Sequence, residues 1–290
     1  MEIKQILITS DKYPSRLRDI PNPPNKLYVL GDEKLLSQNG IAIIGSRAYS
    51  EYGQQYAIKF AEELAKQGLT IISGMAKGID SFAHEGAVRV NGKTIAVLGG
   101  GFNHIYPEEN KELMNEILQK GGAVITEYSP NTDISSGNFV ARNRIVSGLS
   151  MGVLVVEAMF RSGTSTTAKM AKDQGKTVFC IPSDLGKKNG IGTNKLIKEG
   201  AKLVTEPNDI LDYFQIKRQT IEEHIKQIQI PQEYQSIYEI IENVPIHVDM
   251  LCKKLNTSMS NINSTLMLME LEGYIKALPG NYIEKVENVL

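Results

Sequence analysis

Seven short apolar runs alternate with helix-like segments along most of this chain, and this alternation constrains the fold more than any other feature. The runs are IAIIG (41–45), LTIISG (69–74), KTIAVLG (93–99), GAVIT (122–126), MGVLVVE (151–157), KTVFCIP (176–182) and AKLV (201–204). In the segment 53–68, Tyr56, Phe60, Ala61 and Leu64 fall on one helical face. Because the apolar runs are continuous, both faces of each strand must be covered, which predicts an α/β fold with a mostly parallel, doubly wound sheet.

The same pattern predicts where a ligand would bind. Right-handed crossovers place all the carboxyl ends of parallel strands at one edge of the sheet. Ligands of doubly wound folds bind along that edge, in the crevice where the strand order reverses. The residues that follow the apolar runs are therefore the candidates for a binding site.

Composition divides the chain into four parts. Residues 1–40 are proline-rich between 13 and 32 and are interpreted as an extended lead-in packed on the core, and residues 41–215 form the Rossmann-like domain. Residues 216–230 contain no glycine and are polar, a composition that predicts a linker. Residues 231–290 predict helices at 231–244, 247–256 and 260–274, with Ser260 as N-cap and Gly273 as the stop, and then a hairpin turning at Pro279 and Gly280. Three short helices and a hairpin are typical of a winged helix.

Bulk properties exclude several classes of protein. A chain of 290 residues, 41% of them hydrophobic, can build one sizeable core and a smaller module. No stretch approaches the ~18 consecutive apolar residues of a membrane span, and the first residues lack the features of a signal peptide, so a cytoplasmic location is expected. Cys180 and Cys252 are expected to be buried, reduced thiols. The histidines have no ligand spacing, and neither a metal nor a cofactor is expected.

The net charge of -1 hides an uneven distribution. Residues 136–202 contain 11 basic and 4 acidic residues, a balance of +7, whereas residues 219–290 contain 5 basic and 10 acidic residues, a balance of -5. This division indicates one anion-binding region and a tail that would be a poor partner for nucleic acid. Charge runs are also common on ordinary solvated helix faces, so the signal needs support from motifs.

Small and polar residues follow the apolar runs. Gly45 permits a tight turn and places Ser46 and Arg47 over the start of the next helix, where free N–H groups favour an anion. The segment has neither the dinucleotide fingerprint nor the Lys-Ser/Thr ending of a P-loop. Ser73 and Gly74 repeat the arrangement after the second run, with Asp80 or Ser81 as a helix cap. His84 lies a turn further on, and a packed, hydrogen-bonded histidine is favoured there over a catalytic one.

A further group of phosphate-sized donors follows the fifth run. Ser162, Gly163 and Thr164 precede a helix and offer hydroxyl and N–H groups. No serine or threonine has a spacing that ties it to a histidine or carboxylate, so no nucleophile–base pair emerges. Binding turns without catalytic groups predict a protein that binds a polyanion rather than an enzyme.

Arg142 and Arg144 lie just before the fifth run. On a helix they diverge by ~200°, so that one can contact a ligand while the other pairs with an acid or with backbone carbonyls. Phe139 lies within one helical turn of Arg142. An exposed aromatic ring there could stack on an unpaired base, although an ordinary core position is equally consistent with the sequence.

These residues occur in blocks that resemble one family of bacterial proteins. The blocks are IAIIGSRAYSEYG, ISGMAKGIDSFAHEGA, TIAVLGGGFNHIYPEEN, AVITEY, NFVARNRIVSGLS, VLVVEAMFRSGTSTTAKMA and GTNKLIKEGAKLV, in this order over residues 40–205. Together they are similar to the DNA-processing protein A (DprA or Smf) family. The sterile-alpha-motif-like domain that precedes the lead-in of some members has no counterpart in this sequence.

The resemblance implies an extended Rossmann fold with a small C-terminal winged-helix domain. It implies a protein that binds single-stranded DNA through its phosphates, protects it, loads the RecA recombinase onto it in natural transformation, and forms a homodimer. The resulting candidate DNA-binding residues are Gly45, Ser46, Arg47, Ser73, Gly74, Lys77, Phe139, Arg142, Asn143, Arg144, Ser162, Gly163 and Thr164.

The alternative from another class is a nucleotide-hydrolysing enzyme. Phosphoribohydrolases share this Rossmann variant and resemble a P-G-G-x-G-T-x-x-E pattern. This chain has RSGTSTT, with Gly163 and Thr164 in place but Thr167 where the glutamate would stand. The missing carboxylate disfavours hydrolysis. The acidic tail likewise disfavours a sequence-reading winged-helix regulator.

Overall fold

The computed structural model describes residues 2–160, 162–217, 231–241, 245–272 and 274–285. The chain divides into two compact units, residues 1–217 and 218–290. Of the predicted linker, residues 216 and 217 belong to the first unit and residues 218–230 lie outside the described part of the chain.

The first unit is built on a nine-stranded sheet, in the order β1-β2-β6-β5-β4-β3-β7-β8-β9. Its strands are β1 (Lys4–Leu7), β2 (Lys26–Gly31), β3 (Gly40–Ile44), β4 (Thr70–Ser73), β5 (Thr94–Val97), β6 (Ala123–Thr126), β7 (Gly152–Val155), β8 (Thr177–Cys180) and β9 (Lys202–Leu203). Strands β3 to β9 pair in parallel, whereas β1 and β2 are antiparallel additions at one edge. All seven predicted strands are present, and the mostly parallel α/β fold is confirmed.

Helices cover both faces of this sheet. They are α1 (Ser15–Arg18), α2 (Glu51–Lys66), α3 (Ile79–Arg89), α4 (Lys111–Gln119), α5 (Ser136–Leu149), α6 (Gly163–Asp173), α7 (Ile191–Lys198) and α8 (Pro207–Tyr213), with 3-10 turns at Glu33–Ser37, Glu108–Asn110 and Lys188–Gly190. Ile41 and Ile43 of β3 pack in one apolar core and Ala42 and Ile44 in another, because alternate side chains of a strand point to opposite faces. Continuous apolar strands are thus explained by a core on each side.

The lead-in is more than an extended segment on the core. It supplies β1 and β2, with β2 paired to β6, and it buries Tyr13, Leu17 and Ile20. The buried Tyr13 hydroxyl donates to the carbonyl of Pro24 at 2.7 Å. The lead-in and the Rossmann-like segment lie in one compact unit, because backbone hydrogen bonds join β2 to β6.

The strand order reverses beside β3. From β3 the chain builds β4, β5 and β6 on one side, and then returns to add β7, β8 and β9 on the other. The connections after β3 and β7 therefore leave the sheet in opposite directions and open a crevice at its carboxyl edge. This topology fixes the position at which a ligand of such a fold binds.

The second unit is a small helical module with a three-stranded sheet, β10-β12-β11. Its elements are α9 (Gln232–Ile240), β10 (Ile246–His247), α10 (Val248–Leu255), α11 (Met259–Leu271), β11 (Ile275–Leu278) and β12 (Tyr282–Lys285). The predicted winged helix is confirmed, and Pro279 and Gly280 do lie between β11 and β12. The N-cap of α11 is Ser258 rather than Ser260, because the backbone is already helical from residue 259. Gly273 lies outside the described residues.

Cys180 and Cys252 are buried free thiols, as expected. Burial raises the pKa of the Cys180 thiol to about 12. Within the part of the chain that the structure describes, no helix is long and apolar enough to cross a lipid bilayer.

Candidate nucleic-acid interface

A cleft of about 510 Å³ lies at the carboxyl edge of the sheet, at the point where the strand order reverses. It is called the main cleft below. Four segments line it: residues 44–48 at the end of β3, residues 74–80 between β4 and the first turn of α3, residues 136–146 of α5, and the start of α6 with Met159. The predicted site residues among its walls are Gly45, Ser46, Arg47, Gly74, Phe139, Arg142, Asn143, Ser162, Gly163 and Thr164.

The amino end of α6 has the features of an anion site. Its N-cap residue is Ser162, whose side chain accepts no capping hydrogen bond. A Cβ added at Gly163 would have no heavy atom within 4 Å, so this turn borders open space. The N–H groups of a helix's first turn lack partners within the helix, and the helix dipole adds positive potential there. This end of α6 therefore favours a phosphate-sized anion.

The amino end of α2 is different, and the expectation of an anion there is wrong. Ser50 caps the helix by accepting from the N–H of Gly53 at 3.2 Å. The buried carboxylate of Glu157, from the end of β7, accepts from the Ser50 N–H at 3.0 Å and from its hydroxyl. The protein thus supplies its own anion at α2, and a phosphate would be repelled by it.

Arg142 forms the buried floor of the main cleft. Only 3% of the residue is exposed, and Nη1 donates to the carbonyls of Gly74 and Val97. A Cβ at Gly74 would lie 2.5 Å from the guanidinium, so glycine is required there for Arg142 rather than for a ligand. Burial lowers the pKa of Arg142 to about 10, which leaves it charged at neutral pH.

Asp80 is the buried partner charge of Arg142. Burial raises the pKa of the Asp80 carboxyl, while Arg142 and backbone N–H groups of Ala76, Gly74 and Gly45 oppose that rise. The Gly74 N–H donates to the carboxylate at 3.1 Å. Asp80 and Arg142 therefore hold the turns after β3, β4 and β5 in fixed positions, since each contacts backbone groups of more than one turn.

Arg144 does not reach the main cleft. Its guanidinium donates to both carboxylate oxygens of Glu127, at 2.6 and 2.7 Å, and to the carbonyl of Asn22 at 2.8 Å. The hydrogen bond with Glu127 is the largest cause of the raised pKa of Arg144. The expectation that one arginine of the pair binds an acid and backbone carbonyls is confirmed for Arg144, and its assignment to the DNA site is not supported by its position.

Arg47 and Phe139 are accessible from solvent. The Arg47 side chain is exposed, and its Cζ lies 5.5 Å from the centroid of the Phe139 ring. Phe139 is half-buried, so it is not an ordinary core residue, and its ring lies 5.5 Å from that of Tyr106. The Arg47 guanidinium thus lies over the Phe139 ring on the wall of the main cleft, which places a cation and an aromatic ring within reach of one phosphate and its base.

Three predicted contact residues lie elsewhere or use their side chains locally. Ser73 is fully buried and donates to the carbonyl of Ile43 at 2.6 Å, so it cannot contact a ligand. Ser46 borders the main cleft, but its hydroxyl donates to the carbonyl of Ala48 and accepts from the Ala48 N–H. Lys77 is exposed beside a second cavity, and its Nζ lies 3.9 Å from Glu109.

Comparison with known proteins assigns the chain to a family. Residues 4–215 match the family model described as DNA recombination-mediator protein A. The chain belongs to the DNA recombination-mediator protein A family. Residues 227–281 match the DprA winged helix domain.

Individual members of this family align over most of the chain. Protein Smf of Escherichia coli is 39% identical over 94% of this chain and 75% of its own length. The DNA processing protein DprA of Bacillus subtilis is 40% identical over 72% of this chain and 71% of its own.

Two solved structures of family members resemble this chain. The DprA structure from Streptococcus pneumoniae has a TM-score of 0.69 at 40% identity, and covers 73% of this chain and 74% of its own. The DprA structure from Helicobacter pylori has a TM-score of 0.67 at 33% identity, over 74% and 96% of the two chains, and its description concerns a single-stranded DNA binding mode.

Several wall residues of this DprA-family cleft escaped the sequence analysis. Met159 is 40% exposed there, and Ser136 and Val140 of α5 also border it. The sequence pattern predicts Asp80 only as a possible helix cap, although its position in the first turn of α3, after a glycine-rich turn, is a signal for a carboxylate among backbone N–H groups. Nothing in the sequence links Glu157 to Ser50, since they are 107 residues apart.

Proposed function

We propose that this protein binds single-stranded DNA in the main cleft, with a phosphate at the amino end of α6 and a base against Phe139. The observation that carries the proposal is the juxtaposition of the uncapped start of α6 with the exposed Arg47 guanidinium in one cleft. Asn143 adds a donor, because Nδ2 has no hydrogen-bond partner among the described residues while Oδ1 accepts from Arg142 at 3.2 Å.

The proposal extends to what the bound strand is used for. The protein protects incoming single strands in the cytoplasm, loads the RecA recombinase onto them during natural transformation, and works as a homodimer. Membership of a family of recombination mediators supports this role. The names of the Bacillus and Streptococcus relatives, which are DNA processing proteins, agree with it.

Binding is favoured over hydrolysis by the chemistry of the cleft wall. Asp80 is the carboxylate among the lining residues, and it is buried against backbone N–H groups and Arg142. Thr167 stands where the related hydrolases carry a glutamate, and its hydroxyl donates to the carbonyl of Gly163 at 3.3 Å. A general base must reach a proton of the substrate or water, and neither side chain is placed to do so.

The test is a salt titration of single-strand affinity by fluorescence anisotropy. Each phosphate that the protein neutralises contributes a slope of ~0.7 to the fall of log K with log salt. We expect Arg47→Ala to weaken binding to every sequence and to lower the slope by ~0.7, because one cation is lost.

Arg89→Ala is the matched control. Arg89 is an exposed arginine at the carboxyl end of α3, which leads away from the cleft edge of the sheet, and it forms only loose ion pairs with Glu62 and Glu85. We expect wild-type affinity from this variant. A salt-independent affinity, or equal losses for both variants, would contradict the proposed site. In the same samples, Arg47→Ala should reduce stimulation of RecA assembly on single strands, and full stimulation would contradict the loading role.

A further inference from the structure

A second cavity adjoins the main cleft at Phe139. It measures about 500 Å³ and shares Arg47, Ala76 and Phe139 with the main cleft. Its remaining walls are Lys77 and the loop 105–109. This cavity is called the side pocket. Because the two cavities have walls in common, consecutive nucleotides of one strand can occupy both.

Tyr106 gives the side pocket an aromatic wall. The residue is 53% exposed, and its ring lies 5.5 Å from that of Phe139 at an interplanar angle of 49°. Asn110 holds the end of the loop that carries Tyr106 in place. Its buried side chain donates from Nδ2 to the carbonyl of Met75 at 2.8 Å and to the Ser81 hydroxyl at 2.9 Å. An exposed ring on an anchored loop is a stacking surface for an unpaired base.

The charges of the side pocket differ from those of the main cleft. Glu108 and Glu109 are both exposed on its wall. The Lys77 ammonium partly neutralises the charge of Glu109, since its Nζ lies 3.9 Å from the Glu109 carboxylate. Glu108 has no ion pair or side-chain hydrogen bond with any described residue. An ionised carboxylate repels phosphate and can only accept hydrogen bonds. A base with an exocyclic amino group satisfies that acceptor, as cytosine does when its N4 donates to glutamate.

We propose that the side pocket holds a base of the bound strand on Tyr106, and that Glu108 selects bases with an exocyclic amino group over thymine. This inference rests on the proposed function, since it requires a single strand in the main cleft. Guanine presents an imino and an amino donor side by side, cytosine and adenine present an amino donor, and thymine presents a single imino N–H. The side pocket therefore gives a backbone-binding protein a bias against thymine-rich strands.

The test compares oligonucleotides of equal length by fluorescence anisotropy: oligo-dT, oligo-dC, and oligo-dT with isolated guanines. We expect the wild-type protein to bind the last two about 5-fold more tightly than oligo-dT, which is the low end for a specific base contact. Glu108→Ala should bring the three affinities together. Glu112→Ala, which removes an exposed glutamate from the first turn of α4, is the control and should keep the wild-type ratio.

Tyr106 is tested by a second pair of variants. We expect Tyr106→Ala to weaken all three complexes about 5-fold through loss of stacking, and Tyr106→Phe to bind as the wild type does because the ring remains. Equal wild-type affinity for oligo-dT and oligo-dC would overturn the inference, as would wild-type binding by Tyr106→Ala. If the wild-type protein bound none of the oligonucleotides, the proposed function itself would fail.

Discussion

Two arginines of α5, two positions apart, have different roles because the helix turns them to different surroundings. Arg142 is buried under the main cleft, where it organises backbone carbonyls, and Arg144 closes an ion pair with Glu127 on another side of the helix. Truncation of Arg142 would remove the cation that opposes the raised pKa of the buried Asp80 carboxyl, and the donor to the carbonyls of Gly74 and Val97. Of the described residues that line the main cleft, Arg47 is the exposed cation that can meet a strand directly.

His84 is another buried polar residue with a measurable consequence. Its Nδ1 lies 2.7 Å from the Thr94 hydroxyl, which itself donates to the carbonyl of Ile71, so Nδ1 carries the proton. Nε2 is buried and has no hydrogen-bond partner among the described residues. Burial lowers the pKa of His84 to about 3, with the charge of Arg142 as the second cause. The packed, hydrogen-bonded histidine that the sequence predicts is confirmed.

This pKa predicts a pH dependence of stability. Protonation favours the unfolded chain, whose histidine titrates near ~6.5, so stability is lost as the pH falls from ~6.5 towards the folded-state pKa of about 3. Between pH 7 and pH 5, the wild-type free energy of unfolding should fall by about 2 kcal/mol more than that of His84→Asn. Urea denaturation followed by circular dichroism at both pH values measures this. Parallel declines for the two proteins would show that His84 is not buried neutral.

At the scale of elements, the helices differ in what their amino ends bind. The start of α2 is closed by Ser50 and Glu157, whereas the start of α6 has no capping side chain although a serine occupies the N-cap position. A helix end left without a cap is less stable than it could be. The uncapped end lies in the cleft proposed to bind phosphate, so the lost stability is consistent with a functional role.

Ser162→Asp separates these two effects. A carboxylate at the N-cap should stabilise α6 by about 0.5–1 kcal/mol, through capping and the helix dipole, while repelling phosphate from the same N–H groups. We therefore expect a higher melting temperature together with single-strand affinity at least tenfold lower, measured by thermal denaturation and anisotropy.

Ser258→Asp serves as the comparison, because Ser258 is also an N-cap whose side chain makes no capping hydrogen bond with the helix backbone, but it lies in the winged-helix unit. It should stabilise that unit and leave affinity unchanged. Undiminished binding by Ser162→Asp would exclude the amino end of α6 as the phosphate site.

On the scale of the whole molecule, the two units differ in charge, and the main cleft belongs to the first of them. The main cleft lies entirely within residues 1–217, in the unit that contains the +7 region. In the second unit, α11 contains no lysine or arginine, and it exposes Met267 and Leu271 by 74% and 83%. A helix of this composition is poorly suited to a phosphate backbone, which is bound mainly by cations.

A fragment of residues 1–217 is therefore expected to fold and to bind single strands within about threefold of the full chain. The physical reason is that its core and every residue of the main cleft lie inside it. Circular dichroism and anisotropy on the fragment and the full chain make the comparison. A folded fragment that had lost most of its affinity would place the strand on the winged-helix unit instead.

The sequence by itself determined the strands of the parallel sheet and the position of the main cleft. The continuous apolar runs predicted parallel strands, because a strand that is covered on both faces must be apolar along its whole length. The crossover rule then placed the cleft at the carboxyl ends of those strands. It also identified Arg47, Phe139 and the turn 162–164 as its walls, since these residues follow strands or start helices directly.

Only the tertiary structure decided which polar groups are already paired within the protein. Glu157 occupies the amino end of α2 from 107 residues away, and Arg144 pairs with Glu127 across 17 residues, contacts that no local pattern encodes. Sequence spacing fixes the angle between Arg142 and Arg144 on α5, but not the orientation of the helix on the sheet. The packing of apolar residues on both faces of the sheet decides that orientation. It places Arg142 under the main cleft and Arg144 away from it.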